Sequence, residues 1–376
     1  MHILITGSSS SIGRNLLTLL SSNEFIGDCE DPITEVTLAD IDYTRVSLPA
    51  TSFVVGKRKI DIAGDGPSCV EELFYGRPEF IFHLASLSEE ADFDFDRGYR
   101  VNVDGTKNML DAIRAIPGYC PRFVFASSIA APSQCSAAPQ DSYDTQKAIA
   151  ELLVSEYSRK GYVDGISIRL PTIVGCPDAT HKAATSFFPS MIREPLSGHE
   201  AICPVPLFFR HTIASPKAAA GNLLHAANLT SQQLAMSRTM NMPGIAPAVH
   251  DIIEALGNIA GKSVAKLIHQ ERDISIWRTV SSWPQNIDAT YALSLGFVPD
   301  ASIDAIIKYY IKDELKQKKH SLPTEVEKRH VEDDLKQKKC SLPTGVEKRH
   351  VEDDLKQKTY SIPTGFGKRQ LSGAAA

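Results

Sequence analysis

The start of the chain constrains it most. HILIT at residues 2–6 runs into Gly7-Ser8-Ser9-Ser10-Ser11-Ile12-Gly13, after which Ile12, Leu16, Leu17, Leu19 and Leu20 recur on one face of a helix. A strand that is apolar at nearly every position needs cover on both sides, and the amphipathic helix that follows supplies one of them. The rhythm returns in EVTLA (35–39), FIFHL (80–84), RFVFA (122–126) and GISIRL (165–170), with helices expected over 102–115 and 143–160. Strands alternating with helices in this way build βαβ units and a parallel sheet. From about Pro171 the pattern breaks into Pro-rich connections, then resumes more weakly near 215–228 and 248–261.

The expected fold class is therefore α/β, a doubly wound Rossmann-type parallel sheet in residues 1–170. Residues 171–314 are expected to form mainly a smaller, irregular substrate-binding lobe, with some segments returning to the sheet. Residues 315–376 repeat: LKQKKHSLPTEVEKRHVEDD from Leu315, LKQKKCSLPTGVEKRHVEDD from Leu335 and a decayed copy from Leu355, with a period of 20 residues. Leu315, Leu322, Val326 and Val331 are the apolar side chains of the first copy, too few for a stacked solenoid core. Thr324 with Glu327 and Thr344 with Glu347 have capping-box spacing just after Pro323 and Pro343. We expect a low-complexity appendage of frayed helix or disordered chain.

Charge divides the same way. The chain carries a net −5, but residues 315–376 hold 14 basic and 9 acidic side chains, leaving 26 basic and 36 acidic in residues 1–314. A body with a net −10 does not suit nucleic acid. No apolar run approaches the roughly 20 residues of a spanning helix, and MHILITG lacks the features of a secretion signal, so a cytoplasmic protein without membrane contact is expected. Seven cysteines without a C-x-x-C pair argue against a disulfide framework and a zinc ribbon, and no metal site is expected.

A Gly-rich turn between strand and helix can hold a pyrophosphate on backbone N–H groups at a helix N-terminus. Gly7 permits the tight turn and Gly13 lets the helix approach the sheet; a turn of this kind also serves as a plain strand–helix connection. Ser10 stands where the dinucleotide fingerprint prefers Gly. Asp40, ending the second strand 27 residues after Gly13, is placed to accept hydrogen bonds from a ribose 2′-OH and to repel a 2′-phosphate. That favours NAD over NADP as cofactor.

Tyr143 and Lys147 stand four apart at the start of a helical segment, so both project from one face. A free phenol ionises near pH 10, and a neighbouring ammonium is expected to bring that value down until the Tyr can take a proton from an alcohol. Ser128, just past RFVFA, is a donor for the same substrate oxygen. Each residue also has an ordinary reading: a surface helix pair for Tyr143 and Lys147, a turn serine for Ser128. His83 and His211 read as structural residues.

Nucleotide turn, acidic strand end, serine and Tyr/Lys pair follow one another as a doubly wound domain requires. With Asp61, HLAS at 83–86 and NVDGT at 102–106, they resemble the extended short-chain dehydrogenase/reductase superfamily. Within it, RGYRVNVDGT, PRFVFASSIA, QKAIAELLVSEYSRKGYVDG, RLPTIV, IREPLSG, CPVP and SWPQNIDATYALSLGFVPDASID are similar to the D-erythronate dehydrogenases, over residues 1 to about 312. The resemblance implies that Gly7, Ser10, Ser11, Ile12 and Gly13 hold the pyrophosphate, Asp40 the ribose and Asp61 with Ile62 the adenine. It further implies that Leu84 and Ala85 line the phosphate and ribose side, that Asn102 supports cofactor and active site, and that Pro171 lies against the nicotinamide. Ser128, Tyr143 and Lys147 would be the catalytic group, the latter two also touching cofactor. Departures from the pattern are Ser10 for Gly, Asp144 after the Tyr, and Pro132 to Ala138 in place of an aromatic-Gly stretch. A homodimer through the helices near 102–115 and 143–160 is also implied.

The function so implied is NAD-dependent oxidation of a short sugar acid at C2 to a 2-keto acid. A carboxylate substrate needs a cation, and Arg193 and Arg210 are the candidates for binding it. Two other readings remain: a nucleotide-sugar epimerase or dehydratase using the same triad, and a non-catalytic NAD sensor or scaffold whose repeats recruit a partner. Because the repeats offer no core, deleting residues 315–376 is expected to leave the melting temperature and turnover unchanged; a large fall in either, by thermal denaturation or rate assay, would refute this account of the tail.

Overall fold

Alternation along the first strand builds the layers. In β1 (His2–Thr6), Ile3 and Ile5 face one side of the sheet and Leu4 the other, all fully buried. Ile3 and Ile5 join Leu16, Leu17 and Leu20 of the helix Ser11–Ser21 and Leu223 of the helix Pro216–Asn228. Leu4 joins Met109 and Ile113 of the helix Gly105–Arg114 and Ala150 and Val154 of the helix Ser142–Arg159. The sheet is thus covered on both faces, each buried Leu or Ile being worth about 2 kcal/mol of transfer free energy.

This computed structural model describes residues 1–315 apart from 24, 27–30, 44–45, 89, 132–140, 177–185, 235–236 and 282–286. The described residues all fall within one compact unit. Beyond Leu315 the repeats lie outside the described residues, as does the segment Pro132 to Ala138.

The remaining strands are β2 (Glu35–Asp40), β3 (Val54–Lys59), β4 (Phe80–His83), β5 (Arg122–Ser128) and β6 (Asp164–Leu170). They pair in the order β3-β2-β1-β4-β5-β6, followed by the short strand Thr239–Asn241, and every pair is parallel. The chain therefore winds outward from β1 in both directions, leaving a crevice where β1 and β4 diverge, the place where such sheets bind ligands.

The C-terminal residues serve two structures. Pro216–Asn228 and Thr239–Asn241 belong to the sheet and its cover. A separate cluster around Phe188, Phe209, Ile306 and Tyr310 is framed by the helices Phe187–Leu196, Val249–Ala260 and Ile303–Tyr309 and two small strand pairs. Among the described residues no helix is long and apolar enough to cross a membrane, and no group of His, Cys, Asp and Glu could hold a metal ion.

Candidate active site

At the crevice, Gly7 adopts φ +68°, and a Cβ on it would fall 2.6 Å from Ala85 N and 2.7 Å from the Leu84 carbonyl carbon. The turn after β1 therefore rests directly on the chain leaving β4. Gly13 has the matching role on the other side: a Cβ there would lie 2.7 Å from Ser8 Cα. Between them Ser10 has φ −64° and ψ 159°, ordinary extended backbone, so its Cβ causes no strain. Its hydroxyl donates to Gly7 O at 2.8 Å and accepts the Gly13 N–H at 3.1 Å, capping the helix. Ser10 thus serves as the helix cap. Asp40 closes the site: Oδ2 accepts the Ser9 N–H and Oδ1 the Ile41 N–H, each at 2.8 Å. A carboxylate has further lone pairs to offer a ribose.

Below the crevice His83 is fully buried, bonded to Thr6 at 2.7 Å and Thr106 at 3.0 Å. Burial, with Lys147 nearby, pushes it down to about 3, so it is a neutral structural link. His211 is likewise lowered by burial to about 4, and its ring bonds Thr172 at 2.7 Å.

Asn102 lies in a π-helical turn, Arg100–Asp104, a widening that often marks functional positions. Its Oδ1 accepts from Ser86 Oγ at 3.0 Å and the Leu87 N–H at 2.9 Å; its Nδ2 donates to Leu87 O at 2.7 Å and Gln146 Oε1 at 2.8 Å. One buried amide thus joins the loop after β4 to the helix that carries Tyr143.

The helix Ser142–Arg159 begins on Asp141, whose side chain accepts the Asp144 N–H at 2.8 Å. Lys147, one turn in, is 2% exposed; its Nζ donates to Ala126 O at 2.8 Å and lies 4.7 Å from the Phe125 ring centre and 5.6 Å from that of Tyr143. Ser128, the last residue of β5, accepts the Ala130 N–H at 3.1 Å. The cation is buried against the strand and over the ring of Tyr143.

The lowered phenol anticipated from the four-residue spacing is not found. Burial pushes Tyr143 up to about 12, reinforced by Asp144 and Asp141 and opposed by Ser86. Burial also brings Lys147 down to about 7. Spacing set the two groups together as expected, but desolvation penalises both charged forms.

Residues 3–210 match the family model described as the NAD dependent epimerase/dehydratase family. This chain belongs to that family. It is an NAD-dependent enzyme. It is 36% identical over 325 residues to a D-erythronate dehydrogenase of Cupriavidus necator, spanning 83% of this chain and 98% of that protein. A D-erythronate dehydrogenase of Haemophilus influenzae is 36% identical over 326 residues, 84% of this chain and 100% of that one. The crystal structure of a nucleoside-diphosphate-sugar epimerase from Agrobacterium tumefaciens superposes with a TM-score of 0.76 at 41% identity, covering 84% of this chain and 95% of that one.

Other residues anticipated for this family enzyme are held as follows. Asp61 Oδ1 accepts the Ala63 N–H at 2.9 Å, and Ile62 is buried, its carbonyl accepting from Asn108 Nδ2 at 3.1 Å. Pro171 is buried where a Cβ on Gly244 would come within 3.1 Å of its ring. Arg193 is buried, its Nε donating to Glu194 at 2.8 Å and Nη2 to Ser190 at 3.3 Å. Arg210 is exposed, its Nη1 donating to Ala246 O at 2.9 Å. These contacts hold both arginines to the C-terminal lobe. Sequence reasoning gave no role to Ser86, Gln146, Glu151 or Arg169, which surround the Tyr/Lys pair; the four-residue step from Lys147 to Glu151 was a usable signal.

Asp40 ends β2 beside the Gly7 turn, where the fingerprint expects the ribose, and Asp40→Ala is expected to reduce the preference for NAD over NADP. Dissociation constants for both cofactors measure it, and an unchanged ratio would place the ribose contact elsewhere.

Proposed function

We propose that this family enzyme oxidises the C2 carbinol of a short sugar acid of the D-erythronate type to a 2-keto acid. NAD, when bound, supplies a cationic ring that accepts the hydride. Tyr143 takes the hydroxyl proton, Ser128 holds the reacting oxygen, and Lys147 places positive charge beside the phenol. Arg193 and Arg210 are the candidates for the substrate carboxylate. The observation that carries the reading is the buried ammonium of Lys147, 5.6 Å from the Tyr143 ring centre and bonded to the strand that ends at Ser128. Support also comes from the two D-erythronate dehydrogenases matched along nearly their whole length.

At about 12 the phenolate of Tyr143 is scarce at neutral pH. Base catalysis therefore depends on added positive charge, and each elementary charge brought close in a dry site shifts a phenol downward by about 1–3 pH units. Lys147 provides that charge while it stays protonated, which makes its own ionisation part of the mechanism.

A nucleotide-sugar epimerase is the second reading, favoured by the 41% identity to the Agrobacterium tumefaciens epimerase. A spectrophotometric NADH screen over four- and five-carbon aldonates beside UDP-sugars separates the two. NADH formation with an aldonate is expected; conversion of a UDP-sugar without net NADH would favour the epimerase, and no turnover with either would favour an NAD-binding protein without catalysis. Tyr143→Phe is expected to cut turnover by at least about 100-fold while leaving NAD affinity nearly unchanged. Retained activity would remove Tyr143 from the base role.

We also propose that two copies pair through the helices near 102–115 and 143–160. Phe93, Phe95 and Leu152 are 68%, 55% and 70% exposed beside or on these helices, an apolar surface that pairing would cover. Light scattering on the purified chain is expected to return twice the monomer mass; a monomer would overturn the pairing.

A further inference from the structure

Glu151 lies one helical turn beyond Lys147 and two beyond Tyr143, on the same face of Ser142–Arg159. It is 6% exposed, and its carboxylate is held from two strands. Arg169 grips it with two prongs, Nε to Oε1 at 2.8 Å and Nη2 to Oε2 at 2.6 Å, and Ser127 Oγ donates to Oε1 at 2.5 Å. Ser127 and Arg169 are register partners across β5 and β6, so the sheet itself builds the clamp. Such a forked arginine–carboxylate pair fixes direction as well as charge.

The surroundings of Lys147 give this anion a task. Along its own helix stand the Tyr143 ring and, one turn on, Glu151; from β5 come the Phe125 ring and the Ala126 carbonyl; from β4, the neutral His83; Ser127 of β5 and Arg169 of β6 are bound to Glu151. Asp144, one turn earlier, acts on Tyr143. Burial disfavours the ammonium, and Glu151 is the charge that opposes this loss.

We propose that Glu151, fixed by Arg169 and Ser127, is a positioning residue that keeps the buried Lys147 in its charged form and thereby sets the upper pH limit of the Tyr143/Lys147 pair. The proposal rests on the reading of Tyr143 and Lys147 as the reacting pair. The sign follows directly: without the carboxylate the ammonium loses its proton at lower pH, and the activity that needs the cation disappears earlier as pH rises.

The test titrates Lys147 itself. In the full chain labelled with 13Cε-lysine, its resonance is identified by its loss in Lys147→Arg and followed against pH. Glu151→Gln is expected to move the midpoint down by about one pH unit. It also leaves Arg169 buried without a partner, which threatens folding, so Glu151→Gln combined with Arg169→Gln is measured beside it; removing both charges of a buried pair is far better tolerated than removing one. The double variant also removes the Arg169 cation, so its midpoint is expected to fall by less than in Glu151→Gln alone, and the high-pH limb of NADH formation to move with each midpoint. A midpoint that stays at the wild-type value in every variant that folds, Glu151→Gln included, would overturn the proposal and leave Glu151 a structural brace. Should the wild type form no NADH with any aldonate, the proposed function fails while the titration still decides the role of Glu151.

Discussion

The arrangement depends on a contact with no room in it. Gly7 at the end of β1 lies so close to Leu84 and Ala85 at the end of β4 that one methyl group would collide with backbone. That proximity determines where the two halves of the sheet part. The helix Ser11–Ser21 can start there because Ser10 caps it and Gly13 lets it sit down on the turn. Below the turn, His83 ties Thr6 to Thr106, linking β1, β4 and the helix Gly105–Arg114 through one neutral ring.

Beside this scaffold stand the buried polar groups of the candidate site. Asn102 uses both ends of its amide to hold the loop after β4 against Gln146. Lys147 turns its ammonium onto the Ala126 carbonyl, where the Phe125 and Tyr143 rings shield it from water. Dryness has a cost, since it disfavours both phenolate and ammonium, and a benefit, since any charge brought into such a place acts strongly.

Much of this was legible in the primary structure. The strands β1, β2, β4, β5 and β6 carry apolar residues on both faces and announce themselves, and the Gly7 turn, Asp40 and the Tyr143/Lys147 spacing identify the crevice. Three things escaped. β3 reads VVGKRK and is largely exposed, so nothing in its composition marks a buried strand; its partner β2 defines it. The π-helical turn at Asn102 arises from packing that no local pattern reveals. The ionisation of Tyr143 was misjudged because a four-residue spacing reports proximity and says nothing of desolvation, the larger effect here.

The exposed β3 carries a consequence of its own. It is one margin of a seven-stranded sheet, and an open margin invites another chain to add itself by backbone hydrogen bonding. Lys57, Arg58 and Lys59 stand in a row at its end. Two molecules meeting margin to margin would bring like charges together, so the sequence that hides this strand from pattern reading also guards the protein against stacking into aggregates.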